Sequence, residues 1–366
     1  MLNILHINSY YTSSGFYKNL YDRQRRTNRT DIYVHGYPWE FENICDKNII
    51  IGNPYTKYER FFFYEKMKKT YNDLKQKTEV EKYHIVHAHT LFSNGVLAYY
   101  INRDYHIPYI VAVRNTDINV FFKKAFWLRG LGIKILKNAS KIIFISEAYK
   151  KQFLDDYAPK SIKGELGKKI IVIPNGIDDF WFEKSNSHKK SKDVIRVLTV
   201  GNVNKNKNQL AVCKALTYLQ TNNYRVKYTI VGCIQDEKYF DKIRKFPFVE
   251  YVKNIPKEVL VNYYSDSDIF VMPSITETFG LTYAEALSQG LPVIYSKGQG
   301  FDTQFQEGLV GYHVTSSSIK EIGDTIKQIY NEYDVLTDRC IQNCKQFNWD
   351  RINQVYSDLY KKIVEK

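Results

Sequence analysis

The sequence predicts an α/β protein of two successive doubly wound parallel sheets, and three observations carry that reading. Short apolar runs alternate with longer amphipathic ones, the pattern of strands covered by helices on both faces. The alternation stops at Pro174-Asn175-Gly176 and the Lys- and Ser-rich segment that follows, then starts again. The chain has 366 residues, 44% hydrophobic and 25% charged, which is enough for two ordinary cores.

In the first half, strands are expected at residues 2–7, 32–35, 84–88, 109–113, 141–145 and 170–173, with helices at 15–26, 58–76, 94–104, 120–136 and 146–154. Residues 1–182 form one Rossmann-like domain and 183–193 a linker. The pattern restarts with strands at 194–200, 227–231, 249–252, 269–272, 292–295 and 312–314, separated by helices at 208–220, 237–245, 256–265 and 281–289. Pro256 suits a first helical turn, and Ser318-Ile319-Lys320-Glu321 has capping-box spacing. Residues 194–348 therefore read as a second Rossmann-like domain. Segment 349–366 carries Ile352, Val355, Tyr356, Leu359, Tyr360 and Ile363 on one helical face, which needs a surface to pack on.

The net charge of +14 is uneven: residues 1–182 hold 28 Lys plus Arg against 18 Asp plus Glu, and residues 183–366 hold 25 against 21. A basic half suits a phosphorylated substrate or an anionic membrane surface. No nucleic-acid motif accompanies the charge, so no nucleic-acid partner is expected. The start, Met1-Leu2-Asn3-Ile4-Leu5-His6-Ile7, has no basic n-region and reads as a strand, and no run is long enough to span a membrane, so a cytoplasmic location is expected. Five cysteines without paired spacing read as free thiols.

The most informative stretch runs from Ile269 to Ile294. An apolar strand is stopped by Pro273, a loop carries Glu277, Phe279-Gly280-Leu281 opens a helix of good formers that carries Glu285, and Gly290 and Pro292 end it. The loop lies at the carboxyl edge of its strand, where open α/β sheets bind ligands, and the helix N-terminus favours phosphate near Gly280. Gly201-Asn202-Val203-Asn204-Lys205-Asn206-Lys207-Asn208 occupies the matching position after an earlier strand, that of a phosphate-binding loop.

Glu277 and Glu285 with seven residues between them, Pro273-Ser274 before and Gly290-Leu291-Pro292-Val293-Ile294 after, resemble the donor-site signature of retaining glycosyltransferases of family 4. Ser13-Ser14-Gly15, His87-Ala88-His89, Phe144-Ile145-Ser146-Glu147, Ile173 to Ile177, Gly201 to Lys207, and Glu307-Gly308 before Gly311 extend the resemblance over nearly the whole chain. It implies the GT-B fold: two Rossmann-like domains facing across a cleft, with the C-terminal helix packing back on the N-terminal, acceptor-binding domain. It further implies that Glu285 bonds the nucleotide ribose, Glu277 contacts the donor sugar, and Thr278, Phe279, Gly280 and Leu281 line the donor site, with the Gly280 and Leu281 amides on the diphosphate. Lys207 inherits the diphosphate role, Gly15 a backbone approach to the phosphates, and His89 the orienting of the sugar near the reacting carbon. Asn202 stands where many relatives have Arg, a departure that removes one expected cation from the donor site.

The implied reaction is transfer of a sugar from a nucleotide-sugar, a UDP-sugar first among them, to a saccharide or lipid-linked saccharide in capsule or exopolysaccharide assembly. His89, Glu277 and Lys207 are the candidate catalytic residues. No cofactor and no metal is expected, since His87 and His89 share a strand face that His84 does not and no Cys pair adds ligands. Arg114, Asn115 and Asp117, at a strand end of the first domain, are the acceptor-site candidates. Segments 55–69 and 120–137 interleave aromatic and basic residues, as surfaces lying on an anionic membrane do, although packing against the sheet explains the aromatics equally well. An inactive partner or chaperone of another glycosyltransferase, and a nucleotide-sugar epimerase of the same fold, are the alternatives.

Overall fold

The computed structural model describes residues 1–11, 16–37, 41, 46, 48–56, 58–185, 190–191 and 193–365. Ser13, Ser14 and Gly15, and residues 186–189 and 192 of the expected linker, lie outside the described residues. The chain forms two compact units: unit 1 comprises Met1–Ile145, Lys150–Ile173 and Trp349–Lys366, and unit 2 comprises Ser146–Tyr149 and Pro174–Asn348.

Unit 1 contains β1 (Asn3–Ile7), α1 (Phe16–Gln24), β2 (Arg29–His35), β3 (Ile49–Gly52), α2 (Phe63–Lys77), β4 (Ile85–Ala88), α3 (Gly95–Tyr105), β5 (Tyr109–Ala112), α4 (Arg129–Asn138), β6 (Lys141–Phe144), α5 (Glu147–Asp156), α6 (Lys163–Lys169) and β7 (Ile170–Val172). Its strands pair in parallel in the order β3-β2-β1-β4-β5-β6-β7. β1 lies between β2 and β4, with Ile4 opposite both Thr30 and Ile85, so the order reverses at β1 and β4. In open α/β sheets such a reversal marks the carboxyl edge at which ligands bind.

Two elements depart from the sequence reading. β3 was not expected, because Ile49-Ile50-Ile51 shows no alternation and runs into Gly-Asn-Pro; pairing with β2, Ile32 opposite Ile49, makes it a strand. The helix expected over 120–136 is broken into a wide π turn at Asp117–Phe122, a 3-10 turn at Phe126–Leu128 and then α4. Phe122 and Phe126, four apart, would share a helical face, yet Phe122 is fully buried and Phe126 is 66% exposed. Burial of the first forces the chain to turn before the second.

Unit 2 contains α7 (Asp179–Glu183), β8 (Ile195–Val200), α8 (Gln209–Thr221), β9 (Val226–Val231), α9 (Glu237–Ile243), β10 (Val249–Val252), α10 (Lys257–Ser265), β11 (Ile269–Val271), α11 (Leu281–Ser288), β12 (Val293–Ser296), β13 (Gly311–Val314) and α12 (Ile319–Asn343). Its parallel order is β10-β9-β8-β11-β12-β13, so the switch point lies between β8 and β11. Their core combines Val197, Ile230, Val271 and Ile294 of the strands with Val212, Leu216 and Ile326 of the helices. Ser318 caps α12 by accepting the Glu321 amide at 3.3 Å, as its spacing predicts. Buried Asp268, just before β11, accepts the Ser191 and Arg196 amides and, bidentately, the Nε and Nη2 edge of the Arg196 guanidinium, a structural anchor on the amino side of the sheet.

The last helix, α13 (Trp349–Val364), belongs to unit 1. Ile352, Tyr356, Leu359 and Tyr360 are buried with Ile4, Leu20, Tyr21 and Ile85, each contributing about 1.5–3 kcal/mol on leaving water. Arg23 pairs with Asp350 at 2.9 Å, and the Tyr360 hydroxyl lies 2.7 Å from His87 Nδ1 and accepts Gln24 Nε2 at 3.1 Å. The described cysteines, Cys213, Cys233, Cys340 and Cys344, are free thiols. Among the described residues no helix is long and apolar enough to cross a membrane.

Candidate functional site

The two loops that leave the switch-point strands of unit 2 bring the expected donor residues together. Lys207, in the loop after β8, runs its stem over Gly201, where a Cβ would sit 3.6 Å from Lys207 Cε. Its Nζ reaches Oε2 of Glu277, in the loop after β11, at 2.6 Å. The pair is largely shielded, with 22% of the lysine and 12% of the glutamate side chain exposed. The other carboxylate oxygen accepts the Thr278 amide at 3.0 Å, so the orientation of Glu277 is fixed from both sides.

Residues that the sequence reading did not single out hold this geometry. The Asn206 side chain clasps Thr276 reciprocally, accepting its amide at 3.0 Å and donating to its carbonyl at 2.9 Å, while the Asn206 carbonyl accepts the Ile275 amide at 2.8 Å. Gln299 accepts the Glu277 amide at 3.0 Å, and the Gly300 amide donates to the Glu277 carbonyl at 2.7 Å. A Cβ on Gly300 would stand 1.9 Å from the Thr278 carbonyl oxygen, so only glycine allows that approach. The only sequence signal for these residues was an excess of Asn and Gly in the loops, which ordinary turns also produce.

α11 begins beside the ion pair. Gly280, at φ 79°, is its N-cap, and a Cβ there would lie 2.4 Å from Tyr283 Cδ2. A glycine N-cap offers no side-chain acceptor; the Tyr283 amide donates to the Gly280 carbonyl at 3.0 Å, and the Leu281 and Thr282 amides stand at the positive end of the helix. Phe279 is 2% exposed and packs its ring against Phe347 and Phe301, so only its backbone is available to a donor. Leu281 is exposed and Thr278 half-buried. Glu285, farther along the helix, accepts the Tyr264 hydroxyl at 3.1 Å. Burial pushes its carboxyl up to about 7, with Asp178 adding to the shift and Tyr264 and Lys257 opposing it. Asn202 is exposed and its carbonyl accepts Gln209 Nε2 at 3.0 Å, so the position adds no cation to the site.

In unit 1, His89 ends β4 and is fully buried. Its Nε2 lies 3.0 Å from His6 Nδ1, its ring stacks on His87 with centroids 4.0 Å apart, and its Nδ1 has no hydrogen-bond partner. Burial, reinforced by His87, His6 and Arg114, holds the ring well below the usual imidazole range, so it is neutral. Gly15, its expected companion in the donor site, lies outside the described residues.

The acceptor candidates separate. Asn115 is exposed and accepts Asn119 Nδ2, and Arg114 is partly buried with Nε directed at the His89 carbonyl at 3.4 Å. Asp117 is a correction: it is 1% exposed, and its carboxylate accepts the amides of Arg114 at 2.8 Å, Leu91 at 3.0 Å and Phe92 at 3.2 Å. It ties the loop after β4 to the loop after β5 and has no face for an acceptor. Burial pushes its carboxyl up to about 6 against those three amides.

Two groups of described residues gather three metal-ligating side chains each, His6 with His87 and His89, and Asp302 with Glu307 and His313. In the first, the His87 and His89 rings stack with their planes 24° apart and His6 Nδ1 lies 3.0 Å from His89 Nε2. In the second, His313 Nδ1 contacts Glu307 at 2.9 Å and Asp302 at 3.1 Å, which ties the loop after β12 to β13.

Two parallel Rossmann-like units, the second with a lysine-bearing loop and a helix N-terminus at its switch point, make up the GT-B fold. Comparison with known proteins agrees. The family model "Glycosyltransferase Family 4" matches residues 18–179, and "Glycosyl transferases group 1" matches 181–347. An uncharacterized glycosyltransferase of Methanocaldococcus jannaschii is 22% identical over 93% of this chain and 91% of its own. The capsular polysaccharide biosynthesis glycosyltransferase CapM of Staphylococcus aureus is 23% identical over 61% of this chain and 63% of its own. Among solved structures, Anabaena HepE in complex with UDP and glucose shares the fold at a TM-score of 0.70 and 16% identity, over 99% of this chain and 100% of its own. The chain belongs to the GT-B glycosyltransferases of family 4 type, and it is a transferase enzyme.

Proposed function

We propose that this glycosyltransferase is retaining and transfers a sugar from a UDP-sugar to a saccharide or lipid-linked saccharide in cell-surface polysaccharide synthesis. The observation that carries the reading is the Lys207–Glu277 pair beside the open N-terminus of α11. As the glycosidic bond breaks, the leaving diphosphate gains negative charge, and a cation and helix amides aimed at it stabilise that charge without reorganising. Lys207 and the amides of Gly280 and Leu281 take the diphosphate, Glu285 the ribose hydroxyls and Glu277 the donor sugar, while neutral His89 orients the sugar. Departure and attack on one face retain configuration, with no protein nucleophile. Neither cofactor nor metal enters this reading, because Lys207 and the helix carry the charge that a divalent ion otherwise neutralises. HepE bound to UDP and glucose supports the donor, and CapM supports the polysaccharide setting.

The same reading places the enzyme in the cytoplasm, against an anionic membrane. Tyr58, Phe62 and Tyr64 of one segment are 82%, 66% and 54% exposed, and Val120, Phe126 and Trp127 of the other are 44%, 66% and 64% exposed. Phe63 meets Phe121 at 6.0 Å between ring centroids, so the two segments are neighbours, and exposed Lys68, Lys69, Lys123 and Lys124 stand among them. Exposed aromatics amid lysines suit the boundary between headgroups and acyl chains. The test of function is calorimetric titration with nucleoside diphosphates and nucleotide-sugars, followed by turnover of the donor that binds. Lys207→Ala should lower that turnover by 10-fold or more, roughly the loss of one charge-stabilising group; unchanged turnover removes Lys207 from the mechanism.

A further inference from the structure

Tyr264, in the last turn of α10, is fully buried. Its ring packs edge-on against Trp181, with centroids 5.4 Å apart, and stacks on Phe270 at 6.1 Å. A phenylalanine would fill that space equally well. What the hydroxyl adds is a hydrogen bond to Glu285 Oε2 at 3.1 Å, with the Thr282 carbonyl more distant at 3.5 Å.

Glu285 is only half-buried. Its other oxygen, Oε1, accepts no hydrogen bond among the described residues and is not shut off from water. One oxygen of the carboxylate is therefore tied inward, and the other is open to a ligand. The remaining charges that face it are Asp178, the N-cap of α7, and Lys257, at the start of α10. Those two pair with each other at 2.7 Å, which leaves Tyr264 as the group that holds the carboxylate. Burial disfavours the ionised form and pushes the carboxyl up to about 7, and the Tyr264 hydrogen bond is the largest influence against that shift.

We propose that Tyr264 is a positioning residue for the donor: its hydroxyl keeps Glu285 ionised and turned so that Oε1 is left to accept a ribose hydroxyl. The inference rests on the reading of Glu285 as the ribose contact. An ionised carboxylate only accepts, and accepts strongly, whereas a protonated acid free to rotate offers an O–H that competes with the ribose donors.

The test is calorimetric titration of UDP and of 2′,3′-dideoxy-UDP, which lacks the ribose hydroxyls, into the full chain and its Tyr264→Phe and Glu285→Gln variants. Losing one hydrogen bond to a charged group shifts an ionisation by about 10-fold, so UDP should bind Tyr264→Phe about 5-fold more weakly than the parent at about pH 7. That gap should close toward about pH 9, where Glu285 ionises in both proteins. The ratio of variant to parent at each pH cancels the titration of the diphosphate itself. Dideoxy-UDP should bind parent and Tyr264→Phe alike. In the parent, the advantage of UDP over dideoxy-UDP should grow as pH rises through about 7, a measurement that needs no variant to fold. Glu285→Gln that weakens neither ligand overturns the ribose contact itself. Where Glu285→Gln weakens UDP alone, the proposal for Tyr264 is overturned by a Tyr264→Phe loss that is absent, equal for the two ligands, or equal at the two pH values, and by a UDP advantage in the parent that does not change with pH.

Discussion

Glu277→Gln is the sharpest test of the donor site, because the ion pair it breaks exists before any ligand arrives. A diphosphate must compete with Glu277 for Lys207 and must also approach the Glu277 carboxylate itself. Unit charges about 4 Å apart interact by about 4 kcal/mol at the effective dielectric of a protein surface. Lys207 and Glu277 are closer, at 2.6 Å, and mostly shielded. Solvent screening and relaxation leave on the order of 1–2 kcal/mol, so UDP should bind Glu277→Gln about 10-fold tighter than it binds the parent. Glutamine keeps the oxygen that accepts the Thr278 amide, so the loop stays in place. Lys207→Met should weaken UDP binding, and Glu277→Gln added to Lys207→Met should give little of the gain, since the gain acts through the lysine. Sugar transfer should fall in Glu277→Gln even as UDP binds better. The assay is calorimetric titration across the four-protein cycle, with turnover measured in parallel. Weaker or unchanged UDP binding in Glu277→Gln, or the same gain without Lys207, would refute the competition.

Three further outcomes are expected. Glu285 is pushed up to about 7 in the folded protein from an ordinary 4.5, so its stabilising contribution is present below about pH 4.5 and is lost as pH rises through about 7. Glu285→Gln should flatten the fall in Tm across that window, and a slope equal to the parent's removes Glu285 from the linkage. Gly280→Ala sets an alanine at φ 79° and a Cβ 2.4 Å from Tyr283, which should cost about 2–4 kcal/mol and loosen UDP binding; Gly130→Ala, with nothing within 4 Å of the new Cβ, is the neutral control, and a Gly280→Ala protein as stable as that control would refute the strain. Replacing Phe126 and Trp127 with serine should reduce sedimentation with phosphatidylglycerol vesicles several-fold while leaving UDP affinity unchanged, since two aromatic anchors are lost; undiminished sedimentation means this surface does not meet the membrane.

The sequence by itself determined the two Rossmann-like repeats, the placement of β11 and α11, and the pairing of a basic loop with a helix N-terminus. These follow from local signals: Pro273 stops a strand, Gly280 opens a helix, and the apolar runs have one period throughout. It also set Lys207 and Glu277 side by side, because residues fixed in short loops at neighbouring strand ends stay near those ends in space. Tertiary structure decided what each side chain meets. Asp117 looked like an acceptor contact because it sits at a ligand edge, and only folding shows its carboxylate filled by three amides from two loops. Asn206, Gln299 and Gly300 went unnoticed because their work is on Glu277, 71, 22 and 23 residues away in sequence. Phe122 and Phe126 have the spacing of one helix, and burial of the first against exposure of the second broke it.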